Sequence, residues 1–372
     1  MRANTPAIDR PDDGFPTLCG GRDKPFVSVW RDRDLVVRMD GQALQEWRFT
    51  PTDKGVALAL SHDGAGDPEI ARLAALAALE ASFSRHPASR SIALTAPDGL
   101  CRRLLRDGTA VPGDGYPLTV PADRLWQQPA LWLLTAGNNG YPQQHVMTDG
   151  RRHPRRAPKP DGVVYGRHIP WLDRTLTFRT VHIGRDLDRF HRWMNDPRVA
   201  HFWQEQGDLA KHRRYLEDLT ADPHMLPLIG CFDGAPFGYF EVYWAKENRL
   251  GAYYDADDYD RGWHVLIGEQ AVRGRAWITA WLPSLVHFMF LDDGRTQRIV
   301  GEPRADHQQQ IRNLDKSGFA KIKEFDFPHK RALLVMLLRE RFFGDRLWVT
   351  HPTEAGQTQD QDGLSQDRRA FA

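Results

Sequence analysis

What the 372-residue sequence lacks narrows its class first. It has only three cysteines, Cys19, Cys101 and Cys231, far apart from one another. There is no Cys-x-x-Cys pair and no Cys/His spacing of a zinc site, so neither a disulfide scaffold nor a metal centre is expected. An excess of charge is missing too: 50 Lys+Arg stand against 49 Asp+Glu, a net charge of +1. Binding to nucleic acid or to an anionic membrane through bulk positive charge is therefore not expected. The apolar run Ala332 to Leu338, as long as any in the chain, is far short of the roughly 18 residues of a spanning helix. The opening MRANTPAIDRPDDG has no apolar signal core. The expectation is a reduced, cytoplasmic protein whose cysteines act as small apolar residues. Hydrophobic residues at 41% are enough for a proper core, and the length suggests two domains.

Composition divides the chain further. Residues 1–25, rich in Pro, Gly and Asp, read as a flexible arm, and 351–372 read as a disordered polar tail. The Pro- and Arg-rich stretch YPQQHVMTDGRRHPRRAPKPD, within 141–165, reads as an interdomain linker, its RRHPRR run solvated. Between arm and linker, 26–140 reads as an N-terminal α/β domain. It has β-like stretches at Phe26 to Met39 and Val56 to Ser61, then a helix at Pro68 to Ser84 with Ile70, Leu73, Leu76 and Leu79 at helical spacing. A strand at Ile92 to Thr95 and a helix at Asp98 to Arg106 follow.

The second half, 166–350, carries the chemistry. A strand at Gly262 to Ile267 runs into a loop with Gly268 and Gly274, then into an apolar helix from Ala276 to Phe290. Such a loop exposes backbone N–H groups at a helix N-terminus, a place for a phosphate or pyrophosphate. Arg273 and Arg275 add positive charge, and Gly274 permits close approach. His264 lies in the strand before the loop, with a reference pKa of about 6.5 suited to accepting a proton at neutral pH. The next strand, Arg298 to Val300, ends near Glu302, Asp306 and His307, where neighbouring strand ends form ligand crevices. A carboxylate there could orient His264, and Asp306 also suits an N-cap.

The element order, the V-R-G-R-A loop at 272–276 and N-L-D-K-S-G-F at 313–319 resemble the Gcn5-related N-acetyltransferase (GNAT) superfamily. Within it, the run GYFEVYWAKENRLGAYYDADDYDRGWHVLIGE and then GEPRADHQQQIRNLDKSGF is similar to the siderophore-biosynthesis branch, which includes aerobactin-type hydroxylysine acetyltransferases and alcaligin-type acyltransferases. The resemblance covers about 176–350. It implies a mixed, splayed central sheet flanked by helices, an α/β (α+β) fold, in 166–350. The N-terminal domain would be a degenerate, non-catalytic copy. The Gly-containing turn at Ser61 to Gly66 is too acidic to hold a pyrophosphate.

By this resemblance His264 and Asp306 form the catalytic pair. Val265, Leu266, Ile267, Arg273, Gly274, Arg275 and Ala276 hold an acyl-CoA, acetyl- or succinyl-, with no metal. Trp203, Glu241 and Glu302 contact the acceptor. The expected activity is acylation of an N-hydroxylated amine, hydroxylysine or a hydroxy-diamine, to a hydroxamate, by direct attack on the thioester. The alternatives are an aminoglycoside or protein amine acetyltransferase, whose polycationic acceptor the acidic run Asp255 to Asp260 could attract, and a non-catalytic acyl-CoA-binding protein. The expected partner is a small hydroxylamine, not nucleic acid or a membrane. The sequence leaves the oligomeric state open.

Overall fold

The computed structural model describes residues 14–19, 24–53, 55–135 and 137–349. The expected tail and most of the expected arm lie outside them. The chain divides into two compact units. One comprises described residues of 1–180, 230–236 and 286–297; the other comprises those of 181–229, 237–285 and 298–372. The division therefore falls after Thr180, beyond the stretch expected to be a linker.

In the first unit the strands are Gly14–Thr17 (β1), Phe26–Arg31 (β2), Asp34–Met39 (β3), Gln42–Thr52 (β4), Gly55–Asp63 (β5), Ser91–Thr95 (β6), Val111–Pro112 (β7) and Leu118–Pro121 (β8). They form one sheet in the order β1-β2-β3-β4-β5-β6-β8-β7. Its helices are Pro68–Arg85 (α1), Asp98–Arg106 (α2) and Ala122–Leu125 (α3). The long helix α1 starts at Asp67, whose carboxylate accepts from the N–H groups of Glu69 and Ile70. Its Ala- and Leu-rich middle is buried nearly all round, which marks a central helix rather than a surface one.

Several local expectations change. Residues 14–17 of the expected arm pair with β2. The single stretch Phe26 to Met39 is split by a turn at Asp32, where φ is 52°. Strand β4 escaped notice because Gln45 stands in its buried row with Trp47 and Phe49. Gln45 is satisfied there by donating to the Ala71 carbonyl (2.9 Å).

The expected linker contains a hairpin of His145–Thr148 (β9) and Arg151–Pro154 (β10). Its turn is Asp149-Gly150, both with positive φ, a dipeptide suited to two-residue hairpins. The basic run is thus partly strand, with His153 buried against the Thr148 hydroxyl (2.9 Å). An antiparallel pair, Val163–Ile169 (β11) and Arg174–Thr180 (β12), completes the unit.

The second unit opens with Ile183–Met194 (α4), Pro197–Trp203 (α5) and Leu209–Ala221 (α6). Then come Met225–Phe232 (β13), Ala235–Trp244 (β14), Arg261–Ile267 (β15), Arg275–Asp292 (α7), Arg298–Gly301 (β16), Gln308–Lys316 (α8), Ala320–Phe327 (β17), Lys330–Leu338 (β18) and Arg339–Gly344 (α9), of which 230–232, 235–236 and 286–292 count with the first unit. The strand order is β13-β14-β15-β16-β18-β17. Strands β14 to β18 repeat the arrangement of β4 to β8: a parallel pair joined by an 18-residue helix, then an antiparallel hairpin. The first unit is a topological copy of the second, without counterparts of α4 to α6.

Side-chain alternation sorts this sheet into two faces. Phe240 of β14 and Trp263 of β15 stack edge-on with Trp281 of α7 at ring distances of 5.7 and 6.3 Å. Tyr239, Glu241, Tyr243 and His264 therefore occupy the opposite face. The parallel pairing of β15 with β16 covers only Arg261↔Ile299 and Gly262↔Val300. Past that point the chain leaving β16 follows β18, with the Leu333 N–H donating to the Pro303 carbonyl. The two strands splay, and Glu302 sits where they part.

Candidate active site

His264 stands opposite Glu241 in the β14–β15 ladder, on the same face. Its Nδ1 meets Glu241 Oε2 at 2.8 Å, and its Nε2 meets Glu302 Oε1 at 2.9 Å. The imidazole is the accessible member: its side chain is 23% exposed, those of Glu241 and Glu302 only 4% and 1%. Three tyrosines complete the carboxylates' hydrogen bonding. Tyr215 and Tyr239 donate to Glu241 Oε1 (2.6 and 3.0 Å), and Tyr243 donates to Glu302 Oε2 (2.8 Å). Burial and the adjoining carboxylates raise all three phenols well above their ordinary pKa, so they act as donors. Lys330 Nζ donates to the Glu302 carbonyl (2.8 Å), and Arg249 lies 3.4 Å from its Oε1.

The clamp sets the charge around His264. Burial works against its charge, but Glu302 and Glu241 outweigh that and lift its pKa to about 9. Burial likewise opposes ionisation of Glu302, yet His264, then Lys330 and Arg249, hold its carboxyl far below the usual range. The two carboxylates therefore favour the imidazolium form of His264 at neutral pH.

Asp306 stands apart from this clamp. Its carboxylate takes a two-pronged bond from Arg304 (3.0 and 2.8 Å), and its side chain is 69% exposed. It does not reach His264. Nor does it cap α8: His307 does, its Nδ1 accepting from the Gln310 N–H (3.0 Å). Glu241 and Glu302, expected to contact the acceptor, are the histidine's hydrogen-bond partners.

Trp203 closes one side. Its Nε1 donates to the Val265 carbonyl (3.2 Å), and its ring lies 6.3 Å from that of His264, nearly perpendicular. In an antiparallel ladder a residue's N–H and C=O point the same way. The Val265 amide therefore faces the splayed side too.

At the loop, Gly274 has φ of +99° and open space where a Cβ would be. Arg275 and Ala276 are exposed in the first turn of α7, where a helix's first N–H groups lack intrahelical acceptors. Arg273 folds back instead, bonding the carbonyls of Ile267 (3.0 Å) and Gly268 (3.3 Å). It braces the turn rather than projecting from it.

Other sequence candidates resolve into structure. Asp260 is buried and holds Arg298 (2.8 and 2.7 Å), which also pairs with Asp257 (2.9 Å). Asp257 and Asp260 of the acidic run are thus tied to an arginine of their own unit. Cys231 is buried in β13. Among the described residues, no group of three His, Cys, Asp or Glu is placed to hold a metal ion, and no helix is long and apolar enough to cross a membrane.

Sequence reading missed the tyrosines. The signal was the alternation Tyr239-x-Glu241-x-Tyr243, three polar residues on one face of a strand. Gly262 is its complement: a Cβ there would collide with the Tyr243 ring, which lies across β15 on its way to Glu302.

Comparison with known proteins places the chain in a family. Residues 182–327 match the family model of the acetyltransferase (GNAT) domain. The chain is 45% identical over 222 residues, 59% of its length and 70% of the relative's, to the N(6)-hydroxylysine O-acetyltransferase of Escherichia coli. It is 42% identical over 231 residues to the N(5)-hydroxyornithine:cis-anhydromevalonyl coenzyme A-N(5)-transacylase of Beauveria bassiana, covering 61% of this chain and 51% of that one. Among solved structures, an uncharacterized protein from Bacillus halodurans shares 28% identity over 51% of this chain and 96% of its own, with a TM-score of 0.48. The chain belongs to the GNAT acetyltransferases, in their siderophore-biosynthesis branch. It is accordingly an acyltransferase whose co-substrate is an acyl-CoA.

Proposed function

We propose that the chain acylates the nitrogen of an N-hydroxylated primary amine, by direct attack on an acyl-CoA thioester, to give a hydroxamate. The observation that carries this reading is the Glu241–His264–Glu302 clamp at the point where β15 and β16 splay. The named relatives, which act on hydroxylysine and hydroxyornithine, support it.

An N-hydroxyamine is less basic than an alkylamine, so its nitrogen is already neutral near pH 7. No base is needed before attack, which suits a histidine that is already protonated. In the proposed step the nitrogen bonds to the thioester carbon and the C–S bond breaks. The imidazolium gives its proton to the leaving sulfur, the nitrogen sheds its proton to water, and His264 is reprotonated from solvent, so the clamp returns to its starting state. The Val265 N–H would stabilise the developing oxyanion. Gly274, Arg275 and Ala276 at the α7 N-terminus would receive the diphosphate, with Arg273 keeping the turn in shape. Leu266 and Ile267 continue the strand edge along which the thioester arm would lie. Trp203 would pack on the aliphatic stem of the acceptor.

The test is a mass-spectrometric matrix of N6-hydroxylysine, N5-hydroxyornithine, N-hydroxyputrescine and N-hydroxycadaverine against acetyl- and succinyl-CoA. Ferric-complex colour separates hydroxamate from O-acyl product. Formation of a hydroxamate from at least one pair is expected. Acylation of unhydroxylated amines alone would overturn the reading.

A further inference from the structure

The clamp has a one-sided border. Arg249, just after the Tyr-x-Glu-x-Tyr strand, shares Glu302 Oε1 with His264. Its NH2 therefore lies no farther from His264 Nε2 than the 3.4 and 2.9 Å legs combined allow, about the span of a short amino-acid side chain. Lys330 stands on the far side of Glu302, bonded to its carbonyl. Both cations lie over the ring of Phe327, Arg249 at 5.4 Å and Lys330 at 5.5 Å, and the exposed His329 stacks on the same ring at 5.4 Å.

Phe327 is 5% exposed and packs in the core cluster that includes Tyr243 and Val300, so this rim is rigid. Arg304 adds nothing to it, being turned to Asp306.

Charge does not balance here. Arg249, His264 and Lys330 bring three positive charges, while Glu241 and Glu302 bring two negative ones, leaving one over. His329 reports the same surplus: burial first, then Arg249 and Lys330, make its proton harder to hold. Half the Arg249 side chain is open to solvent, with a guanidinium whose fork matches a carboxylate.

Resting on the function proposed above, we propose that Arg249, backed by Lys330 and His329, holds a carboxylate of the reacting substrate. That group is either the α-carboxylate of an N-hydroxylated amino acid or the distal carboxylate of a dicarboxylic acyl donor. The subsite would prefer hydroxylysine or hydroxyornithine to the corresponding diamines, or succinyl- to acetyl-CoA.

Calorimetric binding reads this without turnover. Wild type should bind N6-hydroxylysine at least tenfold tighter than N-hydroxycadaverine, and Arg249→Gln should abolish most of that ratio, with Arg249→Lys restoring part of it. If the ratio for the two amines is near one, while succinyl-CoA binds tenfold tighter than acetyl-CoA and Arg249→Gln removes that preference, the carboxylate belongs to the donor. His329→Asp, an exposed change on the β17–β18 turn, should lower the same ratio should the Arg249 variants fail to fold. Ratios near one for both pairs in wild type, or ratios unmoved by these substitutions, would overturn the subsite. A carboxylate preference without hydroxamate formation would leave the subsite standing and remove the functional reading beneath it.

Discussion

Replacing Glu302 with Gln should move the alkaline limit of the enzyme. In the intact clamp His264 keeps its proton up to a pKa of about 9, against about 6.5 for an ordinary imidazole. At about 1.4 kcal/mol per unit, the two carboxylates together favour the imidazolium by roughly 3 kcal/mol net of burial. Glu302 contributes more of this than Glu241 does. A glutamine keeps the size of Glu302 and an acceptor oxygen for Tyr243 but removes the charge. At pH 8 wild-type His264 is about ten-to-one protonated; a pKa drawn back toward 6.5 would leave only about one molecule in thirty so. The assay is kcat at saturating substrates from pH 6 to 10, beside ring-nitrogen NMR of His264. Wild-type kcat should fall as pH rises through about 9, and the variant's fall should come two units lower or nearly so. A wild-type limb near 6.5, or a limb that Glu302→Gln leaves in place, would refute the claim that the imidazolium is the working form.

Three further outcomes follow from packing and charge. Gly262→Ala should cost about 1–3 kcal/mol of stability, seen as a lower Tm, because the new methyl meets the Tyr243 ring. Glu80, buried in α1 and accepting from Thr17 (2.7 Å) and Trp132 (3.0 Å), has its pKa pushed up to about 7, chiefly by burial. Between about pH 4.5 and 7 the folded chain then binds more protons here than the unfolded one, so stability falls as pH rises; denaturant melts should show Glu80→Gln flattening that slope and gaining stability at pH 8. Gly274→Val places a β-branched residue at φ of +99°, and should raise the KM for acyl-CoA at least severalfold with a smaller effect on the acceptor.

The sequence disclosed some parts of this molecule more readily than others. Strand β15, the Gly274 turn and helix α7 were legible because each carries a local signal: alternation, a glycine and an apolar run. The topological repeat of the first unit was suggested by its strand–helix–strand order. The histidine's partners were not identified as such, since Glu241 and Glu302 are 61 residues apart in the chain and meet only across a strand pair and a splay. Asp306 drew attention through its place past a strand end and the family resemblance, yet Arg304 two residues away offered it a nearer charge. Strand β4 was hidden by one buried glutamine, and the β9–β10 hairpin by prolines and arginines that outweighed its Asp-Gly turn.

The most direct measurement is the single-turnover rate of His264→Ala with acyl-CoA and N6-hydroxylysine, followed by rapid quench at pH 7.5. If the imidazolium at the splay supplies the proton for the leaving sulfur, the rate should fall about 100-fold or more while acyl-CoA still binds. A variant that forms hydroxamate as fast as wild type would contradict the account.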